Sequence, residues 1–287
     1  MARIPPAAPK GTRDYLPRDL VRRNRVFTLL RETFERYGYE PLETPAVEST
    51  SVLEGKYGDE GERLLFRILK RGHDLESAAQ RIAGETSAGG LSRHLADMAL
   101  RYDLTVPFAR VIAAHQSDVL LPFRRYQMQP VWRAERPQRG RYREFYQCDV
   151  DCVGSRSVTV EAELLAMVSE VFARIGFQDF TIKINHRALL AALMEGASVP
   201  EAQRTAALVA IDKLDKLGDA GVRAELATAG LEPATIERLM GALRVTGTPQ
   251  EMLAGLEGTV GQTPSGALAL GELRELFTYL PLFGVPA

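Results

Sequence analysis

Seven arginines fall between Arg124 and Arg143, inside the stretch FRRYQMQPVWRAERPQRGRYREFYQCDVDCVG (residues 123–154), and this is where the chain is best equipped for chemistry. A guanidinium never loses its charge near neutral pH, and its planar fork donates two parallel bonds, so clustered arginines point to several anionic oxygens held in fixed orientation. Phosphate is the ligand that this composition suggests. Period-2 alternation along residues 143–152 places Arg143, Phe145, Gln147, Asp149 and Asp151 on one face and Tyr146, Cys148, Val150 and Cys152 on the other. An aromatic ring at Phe145 offers a surface for a base, and the carboxylates beyond it can receive a cationic group. The combination reads as a nucleotide beside an ammonium-bearing substrate. A solvated basic hairpin at a sheet edge is the competing reading.

The elements that must position these residues are two strands joined by a turn. Arg133 and Glu135 share a face on the first strand, opposite Trp132 and Ala134, and Arg136, Arg139 and Arg141 surround Gly140 in the turn. Upstream, Val26, Leu30, Phe34 and Tyr37 recur at helical spacing over residues 20–37, with Asp19 able to cap the start and Gly38 suited to the end. Residues 55–62 read as a loop and residues 64–69 as a short strand, while residues 70–96 read as a mobile excursion: a lid or surface insertion, or else a disordered linker. Met98, Leu100, Tyr102, Leu104 and Val106 alternate with Arg101, Asp103 and Thr105, which predicts a half-buried strand presenting the polar set to a pocket. Residues 158–175 form the clearest helix, ending before Gly176. Phe180, Ile182 and Ile184 predict a further strand, after which Asn185 could cap a helix; a lone His186 there is read as structural. Beyond it the sequence is alanine- and leucine-rich and helical through about Val245, and a last amphipathic helix is expected over residues 266–283.

The hairpin resembles motif 2 of the class II aminoacyl-tRNA synthetases, and its wording is similar to that of the histidyl-tRNA synthetase family. The resemblance continues in KGTRDYLP (10–17), similar to that family's amino-terminal signature, YEPLETPAVE (39–48), similar to motif 1, and LRYDLTVPFAR (100–110), similar to the first histidine-binding strand. RYDLTVP and FYQCDVD are nearer to the family's eukaryotic-type branch, with Asp103 and Asp151 where common bacterial sequences carry glutamate. The resemblance implies that Arg133 holds and polarises the ATP α-phosphate, Glu135 faces the adenine amino group, Phe145 stacks on adenine and Arg141 reaches the outer phosphates. Asp103, Thr105, Gln147 and Asp151 would hold histidine. Mg²⁺ would ride mainly on the phosphates, and a homodimer is implied by motif 1. The expected fold is α+β, an antiparallel sheet flanked by helices, with a catalytic core over residues 1–185, a helical insertion over 186–260 and a return segment over 261–287.

The expected activity is activation of histidine with ATP and its transfer to tRNA(His). Family members continue with a second histidine motif, motif 3 and an anticodon-binding domain, which are expected to lie outside this chain. The alternative is a non-catalytic histidine-binding regulatory subunit or sensor; the retained ATP set of Arg133, Glu135, Phe145 and Arg141 argues for the enzyme.

Composition sets the outer bounds. The chain has 287 residues, 45% of them hydrophobic, with a formal net charge of −1, so electropositive character is local. There is neither an apolar run of bilayer length nor a signal-peptide centre, so the expected compartment is the cytoplasm. Cys148 and Cys152 are four apart on a strand, too far to bridge, and no metal-ligand spacing is visible; both are read as packing residues on the buried face. Neither GxGxxG nor a P-loop occurs, which disfavours a doubly wound nucleotide fold.

Overall fold

A computed structural model describes residues 6–54, 63–82 and 87–285. The expected loop at residues 55–62 lies outside the described residues. The chain divides into two compact units, residues 1–155 and 156–287, and each is described by itself. The helix over residues 158–175, expected as part of an amino-terminal core ending at 185, is grouped with the second unit.

The first unit opens with helix α1, Pro17–Arg36. Proline at the first helical position loses no intrahelical bond, and Leu16 provides the extended entry with no side-chain cap, so Asp19 lies within the first turn instead of capping it. The helix ends at Tyr37, and Gly38 follows with φ of 78°. Six short strands then build two three-stranded sheets. In one, β1 (Glu40–Pro41) runs parallel to β5 (Phe123–Trp132), which is antiparallel to β6 (Glu144–Val153). In the other, β4 (Ala96–Leu100) lies between β2 (Val47–Ser49) and β3 (Phe66–Leu69), antiparallel to both. A single turn of helix, α2 (Thr50–Leu53), follows β2.

The two sheets are tied by one buried arginine. Arg101 donates from Nε to the Pro130 carbonyl at 3.0 Å and from Nη1 to the carbonyls of Thr44 and Pro45 at 2.5 and 3.0 Å. Its own backbone joins Ala46 and Trp132. Three segments that alternation alone could not connect thus share one guanidinium, whose charge-assisted bonds offset its burial.

Three further expectations for this unit change. Residues 70–96 hold two helices, α3 (Gly72–Arg81) and α4 (Ala88–Leu95), before β4 begins. The strand expected over residues 98–106 ends at Leu100, and helix α5 (Thr105–Ala114) takes over. The switch is local: Asp103 Oδ1 accepts the Val106 amide at 3.1 Å, a cap-like bond that favours a helix start. Tyr102, Leu104 and Val106 are all buried, so their alternation reflected burial and not continued strand. The cysteines do not line a buried face either, since Cys148 is exposed and Cys152 half-buried.

The second unit is helical among its described residues. Helix α6 (Val158–Ile175) is capped by Ser157 and ends at Gly176, in the left-handed conformation at φ 107°. Helices α7 (Arg187–Gly196), α8 (Glu201–Ile211), α9 (Leu214–Thr228), α10 (Pro233–Leu243), α11 (Pro249–Val260) and α12 (Pro264–Tyr279) follow, with a 3₁₀ turn at Leu280–Phe283. Their core gathers Leu193, Met194, Val222, Leu226, Leu239 and Leu270. Gly196 lets α7 approach α11 closely, because a Cβ there would meet the Thr259 carbonyl. The expected strand at Phe180–Ile184 is absent: no other strand lies beside it among the described residues of this unit, and Phe180 turns back onto Phe172 with ring centroids 5.1 Å apart. The cap of α7 is His186, not Asn185; its Nδ1 accepts from Ala188 and Leu189, and Nε2 lies 2.7 Å from Glu272 Oε2. That is the structural role expected of it.

Candidate functional site

The β5–β6 hairpin sets the site by register. Arg125 lies opposite Asp151, Gln127 opposite Asp149, Gln129 opposite Gln147 and Val131 opposite Phe145, so these eight residues share one face. The opposite face packs on α1, where Phe34 meets Tyr126 at 5.4 Å and Phe27 meets Tyr146 at 5.1 Å. Phe145, Gln147, Asp149 and Asp151 therefore line up as the alternation predicts. Arg133, Glu135 and Arg143 fall outside the two strands, in the segment that joins them.

Arg133 donates from Nε to the Tyr102 carbonyl at 3.1 Å, and its guanidinium lies 5.1 Å from the Phe145 ring centroid. An arginine over the ring makes one layer of a stack, so a base entering here would add to an existing cation–π pair. Glu135 forms an ion pair with Arg141, and Arg143 Nε donates to the Glu135 carbonyl at 2.9 Å. Gly140 turns the connecting segment at φ 78°. Gly11 of the KGTRDYLP segment accepts the Arg143 amide at 2.7 Å, and a Cβ on Gly11 would strike the Arg143 stem.

Asp103 and Asp151 approach the site from different elements. Asp103 is buried at the start of α5 and is partly committed to Val106, whereas Thr105, the first residue of the helix, is exposed. Asp151 Oδ2 lies 2.6 Å from Nη2 of Arg125, a close ion pair without hydrogen-bond alignment. Gln147 Oε1 is buried and has no hydrogen-bond partner. Gln127 and Gln129, on the same face, are tied instead to Thr44: Gln127 Nε2 donates to Thr44 Oγ1 at 2.9 Å, and Gln129 Oε1 accepts the Thr44 amide at 3.0 Å. Polar residues of one face thus divide into those that brace residues 44–45, Gln127 and Gln129, and those with no bond to that segment, Gln147 and Asp151.

Charge concentrates where Asp103, Asp149 and Asp151 converge. Burial holds the Asp149 carboxyl above the usual carboxylate range, Arg125 and Arg133 pull it down, and Asp151 and Asp103 push it up. The sequence placed Asp149 on this face among the carboxylates able to receive a cationic group, without a role of its own in the histidine set, and did not single out Arg125. The signal for Arg125 was its cross-strand position against Asp151, which exists only once the register is known.

A family model described as Histidyl-tRNA synthetase matches residues 93–285. This chain belongs to the histidyl-tRNA synthetase family. A histidine--tRNA ligase from Gloeobacter violaceus is 43% identical over 289 residues, covering 96% of this chain and 59% of that relative. The crystal structure of histidyl-tRNA synthetase from a Nostoc species superposes with a TM-score of 0.81 at 29% identity, covering 99% of this chain and 60% of that one. A Bacillus halodurans structure titled an ATP phosphoribosyltransferase regulatory subunit/histidyl-tRNA synthetase shares the fold, with a TM-score of 0.77 at 23% identity. The chain spans about three-fifths of the length of the curated family relatives it matches. These relatives are bacterial, which does not support the eukaryotic-type placement that Asp103 and Asp151 suggested. Membership of the histidyl-tRNA synthetase family accounts for the α+β core and for the motif wording of the hairpin.

Proposed function

We propose that this chain carries the ATP and histidine site of a histidine--tRNA ligase, which activates histidine as its adenylate and transfers it to tRNA(His). One observation carries the reading: along the shared face of β6, an arginine-backed aromatic ring, an unpartnered buried amide oxygen and a carboxylate stand in the order Phe145, Gln147, Asp151. Adenine would stack on Phe145 with its amino group toward Glu135, and Arg133 and Arg141 would hold the α- and outer phosphates. The imidazole and ammonium of histidine would donate to Gln147, Asp151 and Asp103, with Thr105 at the rim. Those acceptors reject apolar competitors because they would then stay unpaired in a buried site.

The chemistry asks little of a base. The attacking carboxylate is already anionic, so alignment and stabilisation of charge on the α-phosphate supply the rate. Mg²⁺ would be held by the phosphates, with one or two carboxylates at most from the protein. The segment ending in Thr44-Pro45 would sit at a homodimer interface, and the helical residues 186–260 would face the tRNA acceptor arm. The cytoplasm is the compartment of this reading; among the described residues no helix is long and apolar enough to cross a membrane.

The deciding experiment is histidine-dependent ATP–pyrophosphate exchange by the purified chain, with the other amino acids as controls. Exchange with histidine alone supports the activation step. Calorimetric binding of histidine without ATP binding or exchange would replace the reading with a histidine-binding regulatory module.

A further inference from the structure

We propose that Arg125 is a positioning residue of the histidine pocket: it fixes the Asp151 carboxylate from the neighbouring strand, on the same face of the hairpin, and couples it to the helix that begins at Thr105, just after Asp103. The inference rests on the reading of Asp151 as a histidine contact and adds a residue to which that reading gave no role.

Arg125 has no exposed surface. Its guanidinium is held between two partners from different elements: Asp151 Oδ2 at 2.6 Å on the neighbouring strand, and the Phe108 ring of α5, whose centroid lies 4.3 Å away. Burial lowers the arginine's pKa, and Asp151 is the largest influence opposing that shift. None of its three side-chain nitrogens makes an aligned hydrogen bond, so ion pairing and ring contact are what keep it in place. A buried arginine with so few bonds is a poor device for stability alone, because its desolvation is incompletely offset. It is well suited to restricting a carboxylate: Arg125 and Asp151 are direct cross-strand partners, so the short acid, with only two side-chain torsions, meets the guanidinium directly. Phe108 stands five residues after Asp103 on the segment that begins α5. The stack of Phe108, Arg125 and Asp151 therefore sets the spacing between the two acids that would grip histidine.

The test is calorimetric titration of the chain with histidine and, separately, with ATP, for wild type, Arg125→Lys, Arg125→Met, Asp151→Asn and the double variant Arg125→Met/Asp151→Asn. Positioning predicts that Arg125→Met weakens histidine binding on the order of 10- to 100-fold, that Arg125→Lys recovers part of the loss, and that ATP affinity stays within about threefold. The double variant should bind histidine no worse than Asp151→Asn alone, since the arginine acts through that carboxylate. Wild-type histidine affinity in Arg125→Met overturns the proposal while leaving the pocket intact. Equal losses of histidine and ATP binding, or additive losses in the double variant, overturn it in favour of a general structural role. Failure of the wild-type chain to bind histidine overturns the pocket itself, and this proposal with it.

Discussion

Arg110 grips Glu48 with both arms of its side chain: Nε lies 2.9 and 3.0 Å from the two carboxylate oxygens, and Nη2 lies 2.7 Å from Oε1. Glu48 is 6% exposed on β2, and Arg110 lies midway along α5, so the pair locks the helix that begins at Thr105, just after Asp103, against the second sheet. Removing Arg110 strands a buried carboxylate. Arg110→Ala should cost about 2 kcal/mol, below the full cost for a buried pair because the arginine is one-third exposed. Urea unfolding followed by circular dichroism reads this; a midpoint equal to wild type would show that the fork contributes nothing.

Arg133 has two attachments, the Tyr102 carbonyl and the Phe145 ring, and would face the α-phosphate. Arg133→Ala should lower exchange by two to three orders of magnitude, the effect of about 3–4 kcal/mol of lost transition-state stabilisation. Arg133→Lys keeps a charge but loses the fork and should recover only part. Undiminished exchange in Arg133→Ala would remove it from the mechanism.

Gln147 offers a buried acceptor with no partner of its own. Gln147→Ala should weaken histidine binding by about tenfold, the equivalent of one hydrogen bond of roughly 1.4 kcal/mol, and leave ATP binding unchanged. Calorimetry with each ligand separates the two. A variant that loses ATP and keeps histidine would reverse the assignment of this face.

Tyr126 is buried against α1 and donates its hydroxyl to Glu35 at 2.8 Å. Burial, and then that bond, push its pKa up to about 12 from an ordinary 10. Because the folded chain holds the proton more tightly, the stabilisation is complete below pH 10 and is lost as pH rises from 10 through 12. Tyr126→Phe should be less stable than wild type by about 1 kcal/mol at pH 8, and the gap should close by pH 11.5. Unfolding midpoints at both pH values check this; a gap that does not narrow would show the hydroxyl to be solvated.

Gly196 lies at the end of α7, where the Thr259 carbonyl of α11 occupies the space a Cβ would need. Gly196→Ala gains helix propensity yet should destabilise the second unit by about 1–3 kcal/mol, because a backbone carbonyl cannot move aside cheaply. Thermal unfolding of the isolated substitution measures it. A raised midpoint would mean that the helices separate freely there.

Some of this protein is written plainly in its residues. The helix at residues 158–175 was legible to the residue because its apolar stripe and its terminal Gly176 agree with one another, and the structure adds the Ser157 cap. The face of Phe145, Gln147, Asp149 and Asp151 was legible because a strand's side chains must alternate. Alternation failed at residues 98–106, where a local carboxylate bond from Asp103 starts a helix inside a buried run, and at residues 180–184, where no neighbouring strand of the unit takes up the backbone groups. Periodicity reports which residues are buried, while the ladder that makes a strand needs a second segment. What the sequence determined by itself was therefore the chemistry available: the arginines, the aromatic ring and the acids of the hairpin, in fixed order. Only the tertiary structure decided how they are partnered, because register pairs Arg125 with Asp151, Arg101 and Thr44 take up the polar groups of residues 127–130, and Arg110 fastens Glu48. A buried polar group's partner is set by distance in space, and distance along the chain does not reveal it.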